Sequence, residues 1–322
     1  MRAAQRGNLP AAAPRGLTIF ALTHRCKRHR RFMREWRRAG AGKPALFTSR
    51  EEDTMQTLKN LINWKVYFIL LIAVTLAGIA LLPYALALQT AGTASAAPPP
   101  TFSQVLIAQI VQGVPIFAVL VFLGMILMKR IGLGAPILDA LTKGERETAA
   151  ATLRRVLPIS VALGVVASLV IIGLDIALRP LLIQDLGDKA SVLAMTAQQP
   201  AAWKGFLASF YGGIAEEVLL RLFVMSLLAW LGAFISRTSE GKPTKAVFWI
   251  ANLLAAVLFG VGHLPTMALF APLTALVVFR TLLLNGVGGV VFGWLYQTRG
   301  LESAMIAHFS ADIVLHVLLA LL

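Results

Sequence analysis

Seven stretches of this 322-residue chain are apolar for eighteen residues or more, and they leave little between them to build anything else. They run about 65–88, 102–128, 156–178, 205–235, 246–263, 272–296 and 301–322. A helix needs about 20 apolar residues to cross some 30 Å of hydrocarbon. Inside lipid every backbone N–H and C=O must be satisfied within the segment. The expected fold class is therefore all-α, a polytopic membrane helical bundle of about seven transmembrane helices. A hydrophobic content of 57% agrees. Trp64, Tyr67 and Tyr84 flank the first stretch as interfacial aromatics do.

Charge then sets the organisation. Residues 1–54 hold thirteen Lys/Arg against four Asp/Glu, including Arg25-Cys-Lys-Arg-His-Arg-Arg31. This reads as a basic, disordered head ahead of Met55. Residues 55–200 then supply about three N-terminal membrane helices, and residues 201–322 about four more. The net charge of +15 invites a nucleic-acid partner. It is gathered in the head and in alternate loops, so no nucleic acid is expected and the partners are the lipid bilayer and a peptide or protein substrate. Ten Lys/Arg in the loops around 129–155, 237–245 and 299 face three on the other side. The positive-inside rule places those loops and the N-terminus in the cytoplasm and the C-terminus outside. The expected location is a bacterial inner membrane. The single cysteine, Cys26, excludes a disulfide framework or a cysteine metal site.

One polar cluster breaks the apolar pattern. Glu216-Glu217-Val-Leu-Leu-Arg221 lies inside the fourth stretch. Each carboxylate there costs about 2.5–3.5 kcal/mol at mid-bilayer, so intramembrane ionisable groups mark functional sites by default. Glu217 and Arg221 are four apart and can pair along one helix face. Glu216 lies about 100° round the helix and is left free to act as a general base. The fifth stretch ends in Phe259-Gly-Val-Gly-His263-Leu-Pro265, where the proline is expected to stop the helix. The last stretch carries His308, Asp312 and His316 on one face. Asp175 and Arg179, also four apart, read as a structural ion pair at a helix end. Neither His-Glu-x-x-His nor Gly-x-Ser-x-Gly occurs, and Ser226, Ser303 and Ser310 have no nucleophile motif around them. A transporter would carry paired half-motifs in two repeats, and none is present.

Glu216-Glu217-x-x-x-Arg221, Phe259-x-x-x-His263 and His308-x-x-x-Asp312, in this order on successive helices, resemble the three motifs of the CPBP (or Abi) family, the CAAX proteases and bacteriocin-processing enzymes. The resemblance covers about residues 203–322. It implies an intramembrane endopeptidase in which Glu216, helped by His263, activates water, while His308 and Asp312 stabilise the oxyanion. Glu217, Arg221 and Phe259 support the site. In the prenyl-protease form an Asn fills the last position. An ionised Asp312 has no proton to give, so its expected role is to orient and charge His308. No cofactor is expected; a Zn²⁺ held by Glu216, His263 and His308 is the alternative. The runner-up function is a non-proteolytic peptide-binding or bacteriocin-immunity membrane protein. Residue counting puts Glu216 and His263 in the outer half and His308 deeper, whereas the family's site is thought to open to the cytoplasm. A buried link at Gln297–Gly300 would reconcile the depths.

Overall fold

The computed structural model describes residues 62–92, 101–187 and 200–322; the basic head expected at 1–54 lies outside these. Residues 59–322 form one compact unit. Its helices are α1 (Trp64–Gly92), α2 (Phe102–Arg130), α3 (Pro136–Thr142) and α4 (Arg146–Leu186). They are followed by α5 (202–232), α6 (Lys245–Met267), α7 (Ala275–Arg299) and α8 (Leu301–Leu321). The fold is an all-α bundle, as the apolar stretches require. Six helices (α1, α2, α4, α6, α7 and α8) are long and apolar enough to cross a membrane. The fourth expected crossing is α5, a helical run that alternates α turns with π turns at Tyr211–Glu216 and Val218–Met225.

Three expectations are corrected. The helix around Val156–Leu178 runs from Arg146 to Leu186, 41 residues, or about 60 Å at 1.5 Å per residue. Most of the supposed 129–155 loop is thus helical, since nothing before Arg155 breaks the pattern once Glu145 precedes the first turn. Pro265 does not end α6, which continues to Met267. Proline there removes only one N–H, and apolar helices absorb that loss near their ends. Asp175 pairs not with Arg179 but across to Arg280 of α7, at 2.5 and 2.7 Å. Tertiary packing turned it away from its own helix.

The core explains why the chain closes at one end. Val121 and Met125 of α2 pack with Val218, Leu222 and Met225 of α5 and with Phe292, Leu295 and Tyr296 of α7, all buried. Burying such side chains is worth about 1.5–3 kcal/mol each in a water reference. Inside lipid their close fit does the same work by dispersion. Several polar groups among these helices pair with one another. Ser226 meets the Tyr296 hydroxyl at 2.8 Å and Ser160 meets Ser303 at 2.7 Å. Asn252 donates to the Val290 carbonyl at 3.0 Å, joining α6 to α7.

The link from α7 to α8 is a single buried residue, Gly300, at φ 98°, a left-handed value that favours glycine. It is covered by the α2–α3 connection, whose Gly134 carbonyl accepts from Leu301 N–H at 3.1 Å. Glu302 accepts from Leu138 N–H at the start of α3, 2.8 Å away. This buried link lets α8 begin inside the bundle and brings His308 to the depth of Glu216.

Candidate functional site

The site grows from the irregular turns of α5. A π turn places one extra residue in the helix and is often found where function needs a side chain re-aimed. Here the two π turns flank Glu217, and the acids point to different tasks.

Glu217 is fully buried and uses both oxygens. Its Oε1 accepts from His308 Nδ1 at 2.8 Å, and its Oε2 faces Arg221 Nε at 3.3 Å. The second contact is off the N–H direction, so it acts as a coulombic pair rather than a directed hydrogen bond. Arg221 is equally buried. Its Nη2 donates to the Gly289 carbonyl at 2.9 Å. Its Nη1 has no hydrogen-bond partner among the described residues. Instead the guanidinium lies 5.4 Å from the Phe259 ring and 5.7 Å from the Phe292 ring, whose faces attract a desolvated cation. The expected Glu217–Arg221 pair is present, and Phe259 supports it.

Glu216 is 21% exposed. Its one ion-pair contact within 4.0 Å among the described residues is His308 Nε2, at 3.6 Å. His308 is stacked on Phe292 with ring centroids 4.5 Å apart and meets Phe259 edge-on at 5.5 Å. Since a carboxylate paired to Arg221 only accepts, His308 Nδ1 must be the donor to Glu217. Its other nitrogen, Nε2, is bracketed by Glu216 at 3.6 Å and Asp312 at 3.7 Å. The imidazole is therefore held by Glu217, 91 residues away in sequence, and not by Asp312 as its place on the same helix face suggested.

His263 is partly buried on α6, with its ring edge-on to Phe259 at 4.7 Å. Its Nδ1 lies 2.9 Å from the Phe259 carbonyl oxygen, an acceptor, so Nδ1 carries the proton and Nε2 the lone pair. His316 meets the Tyr84 hydroxyl at 3.2 Å through Nδ1 and lies 3.9 Å from Asp312 through Nε2. This ties α8 to α1.

All of these acids and imidazoles except Glu217 line one cavity of about 680 Å³. Its walls come from α1, α4, α5, α6, α7 and α8 and are mostly apolar, with Asp175 and Arg280 among the polar exceptions. Several contributors were missed in the sequence. Phe292 looked like any aromatic in an apolar helix, and Tyr84 like an interfacial anchor. Gly212 was one glycine among 26, but a Cβ there would collide with Asp312 Oδ2 and crowd His308 Nε2 at 3.1 Å. Its signal was available: Tyr211-Gly-Gly sits one turn before Glu216 in an apolar helix, where small residues mark close approach.

As to a metal, the described residues contain no group of three His, Cys, Asp or Glu placed to hold an ion. Glu216, His263 and His308 are not grouped as such a set, although the bond of His308 Nδ1 to Glu217 leaves Nε2 turned toward the cavity.

Residues 198–314 match the family model Rce1-like, type II CAAX prenyl endopeptidase. That is the family of the resemblance, and the matched segment includes Glu216, Glu217, Arg221, Phe259, His263, His308 and Asp312. It is a family of proteases, and the chain is an integral membrane protein by its spanning helices. No curated protein and no solved structure matches the chain significantly.

Proposed function

We propose that this protein is an intramembrane endopeptidase that hydrolyses a peptide bond of a membrane-associated substrate with a water activated by Glu216. The observation that carries the reading is the division of labour between adjacent acids. Glu217 is engaged by Arg221 and His308, while Glu216 faces the cavity with no hydrogen bond to hold it among the described residues.

The steps follow from that geometry. A water between Glu216 and the substrate carbonyl gives a proton to Glu216 as its oxygen bonds to the carbonyl carbon. His263, with its lone pair on Nε2, orients that water. The carbonyl oxygen becomes an oxyanion near His308 Nε2. In the imidazolium both ring nitrogens donate, one to Glu217 and one to the oxyanion. The carbon–nitrogen bond then breaks, and Glu216 returns the proton to the leaving amine. The products are a carboxylate and an amine. Asp312, 3.7 Å from Nε2, supplies negative charge beside the imidazole. No step passes through a metal.

Asp312 also favours a second reading. A carboxylate where an amide would donate suits a site that binds a peptide without cutting it, as an immunity protein would. Cleavage of a membrane peptide by wild type and by Glu216→Gln separates the two. General-base loss predicts a drop of about 10²–10⁴-fold. If wild type cuts nothing and Glu216→Gln keeps its partner-binding phenotype, the binding reading replaces the peptidase.

A further inference from the structure

The two ends of the bundle differ in charge and in packing, and the cavity belongs to only one of them. The start of α1, the end of α2, α3, the end of α5 and the α7–α8 link lie together. Asn63 donates to Thr142 at 2.8 Å and to Asp139 at 3.3 Å; Lys242 donates to the Arg130 carbonyl at 3.1 Å; Arg130 sits 6.0 Å over Trp230. At this end stand Lys65, Lys129, Arg130, Lys143, Arg146, Arg154, Arg155, Arg237, Lys242, Lys245 and Arg299, eleven cations.

The opposite end gathers the close of α1, α4, α6 and α8 with the starts of α5 and α7. Tyr84 meets His316 at 3.2 Å, Asp185 accepts from the Thr274 hydroxyl, and Arg280 pairs with Asp175. The described residues at this end carry three cations, Arg179, Lys204 and Arg280, the last neutralised by Asp175.

Each element that lines the cavity contributes residues toward this sparsely charged end, with Glu216, Phe292 and His308 deeper in the bundle. Leu88 lies in the last turns of α1, Thr266 and Arg280 flank the α6–α7 turn, and Leu319 is three residues from Leu322. Asp175 and Arg280 keep 42% and 22% of their side chains exposed. Toward the basic end the floor is closed. Below Phe292 and His308 the layer of Met125, Leu222, Leu295 and Tyr296 is at most 1% exposed.

We infer that the cavity opens away from the cytoplasm and takes its peptide from the extracytoplasmic face of the membrane. Cations in short loops are retained on the cytoplasmic side, so eleven of them mark the closed end as inside. The substrate class is then an extracytoplasmic segment of a membrane or exported protein, with apolar side chains to suit walls such as Leu81, Leu88, Ile172 and Leu284. A prenylated carboxyl terminus presented in the cytoplasm would meet the packed floor. The substrate part of the inference rests on the peptidase reading; the orientation does not.

The test uses the full chain in cells with Cys26→Ser as background. Ala268→Cys, exposed in the α6–α7 turn, reports the cavity end, and Glu240→Cys, exposed in the α5–α6 turn, reports the basic end. A membrane-impermeant maleimide is expected to label Ala268→Cys in intact cells and Glu240→Cys only after permeabilisation. In parallel, Leu88→Cys at the cavity wall should lose proteolysis when intact cells are treated. Labelling of Glu240→Cys from outside, or protection of Ala268→Cys until permeabilisation, overturns the orientation. With the labelling as expected, a wild type that cuts nothing refutes the peptidase instead.

Discussion

Glu217→Gln should unfold this protein more readily while Glu216→Gln should not, although the two acids are neighbours. Glu217 is wholly buried and Arg221 is 1% exposed, so removing the carboxylate charge leaves a guanidinium in low dielectric with one carbonyl, that of Gly289, as its remaining hydrogen-bond acceptor. Breaking a buried pair from one side costs about 3–5 kcal/mol. The amide oxygen of Gln can still accept from His308 Nδ1, so little need be added for that bond. At about 2–4 °C per kcal/mol for a unit of this size, the midpoint in detergent should fall by about 6–20 °C. Glu216 is partly exposed and has only a 3.6 Å contact with His308, so its amide should shift the midpoint by less than about 2 °C, within the range of a surface change. A third variant guards the logic. Glu217→Gln with Arg221→Met removes both charges, and apolar replacement of a buried pair is often neutral, so it should recover most of the loss. Thermal unfolding followed by intrinsic Trp fluorescence, beside proteolysis, reads all three. Equal midpoints for wild type and Glu217→Gln, or a double variant less stable than the single, would refute the pairing argument.

Two further outcomes follow from the same geometry. Gly212→Ala should push the Asp312 carboxylate and His308 Nε2 out of place, because its Cβ meets both; a peptidase assay should fall at least about 10-fold, as misplaced catalytic groups do, with far-UV helicity unchanged. Purified protein should keep its activity in strong chelator and carry no stoichiometric zinc by elemental analysis, and one zinc per chain lost together with activity would return Glu216, His263 and His308 to ligand roles.

What the sequence made legible was what repeats along a single helix. Apolar runs set the spans, and i,i+4 spacing paired Glu217 with Arg221 and put His308 and Asp312 on one face. What it hid depends on which helices meet. The hydrogen bond of His308 goes to Glu217 across 91 residues. Spacing within α8 pointed to Asp312 because only the local partner was visible. Asp175 shows the same bias: Arg179 was in register, but Arg280 was in space. Pro265 misled for another reason. A proline weakens a helix by one hydrogen bond, and whether the helix then stops depends on the packing around it.

The chain of contacts through Glu217 gives a reason for two consecutive acids at this place. Phe259 and Phe292 enclose Arg221, and both also touch the His308 ring. Glu217 bridges the cation and the imidazole with one oxygen for each. Glu217 therefore fixes the direction of the imidazole on α8 and also holds the charge of Arg221, which in turn reaches the Gly289 carbonyl on α7. A residue used this way is fully buried and turned away from the cavity where water would enter. It cannot be the base, because taking up a proton would weaken the pair that keeps Arg221 buried. Chemistry at this depth then needs a second carboxylate, close enough to share the cavity but free of the bridge. A neighbour on a π-distorted helix meets that need. It inherits the depth of Glu217 and turns away from Arg221 toward the cavity. Glu216 is that residue: among the described residues it has only the 3.6 Å contact with His308, because Arg221 and His308 Nδ1 are engaged by Glu217.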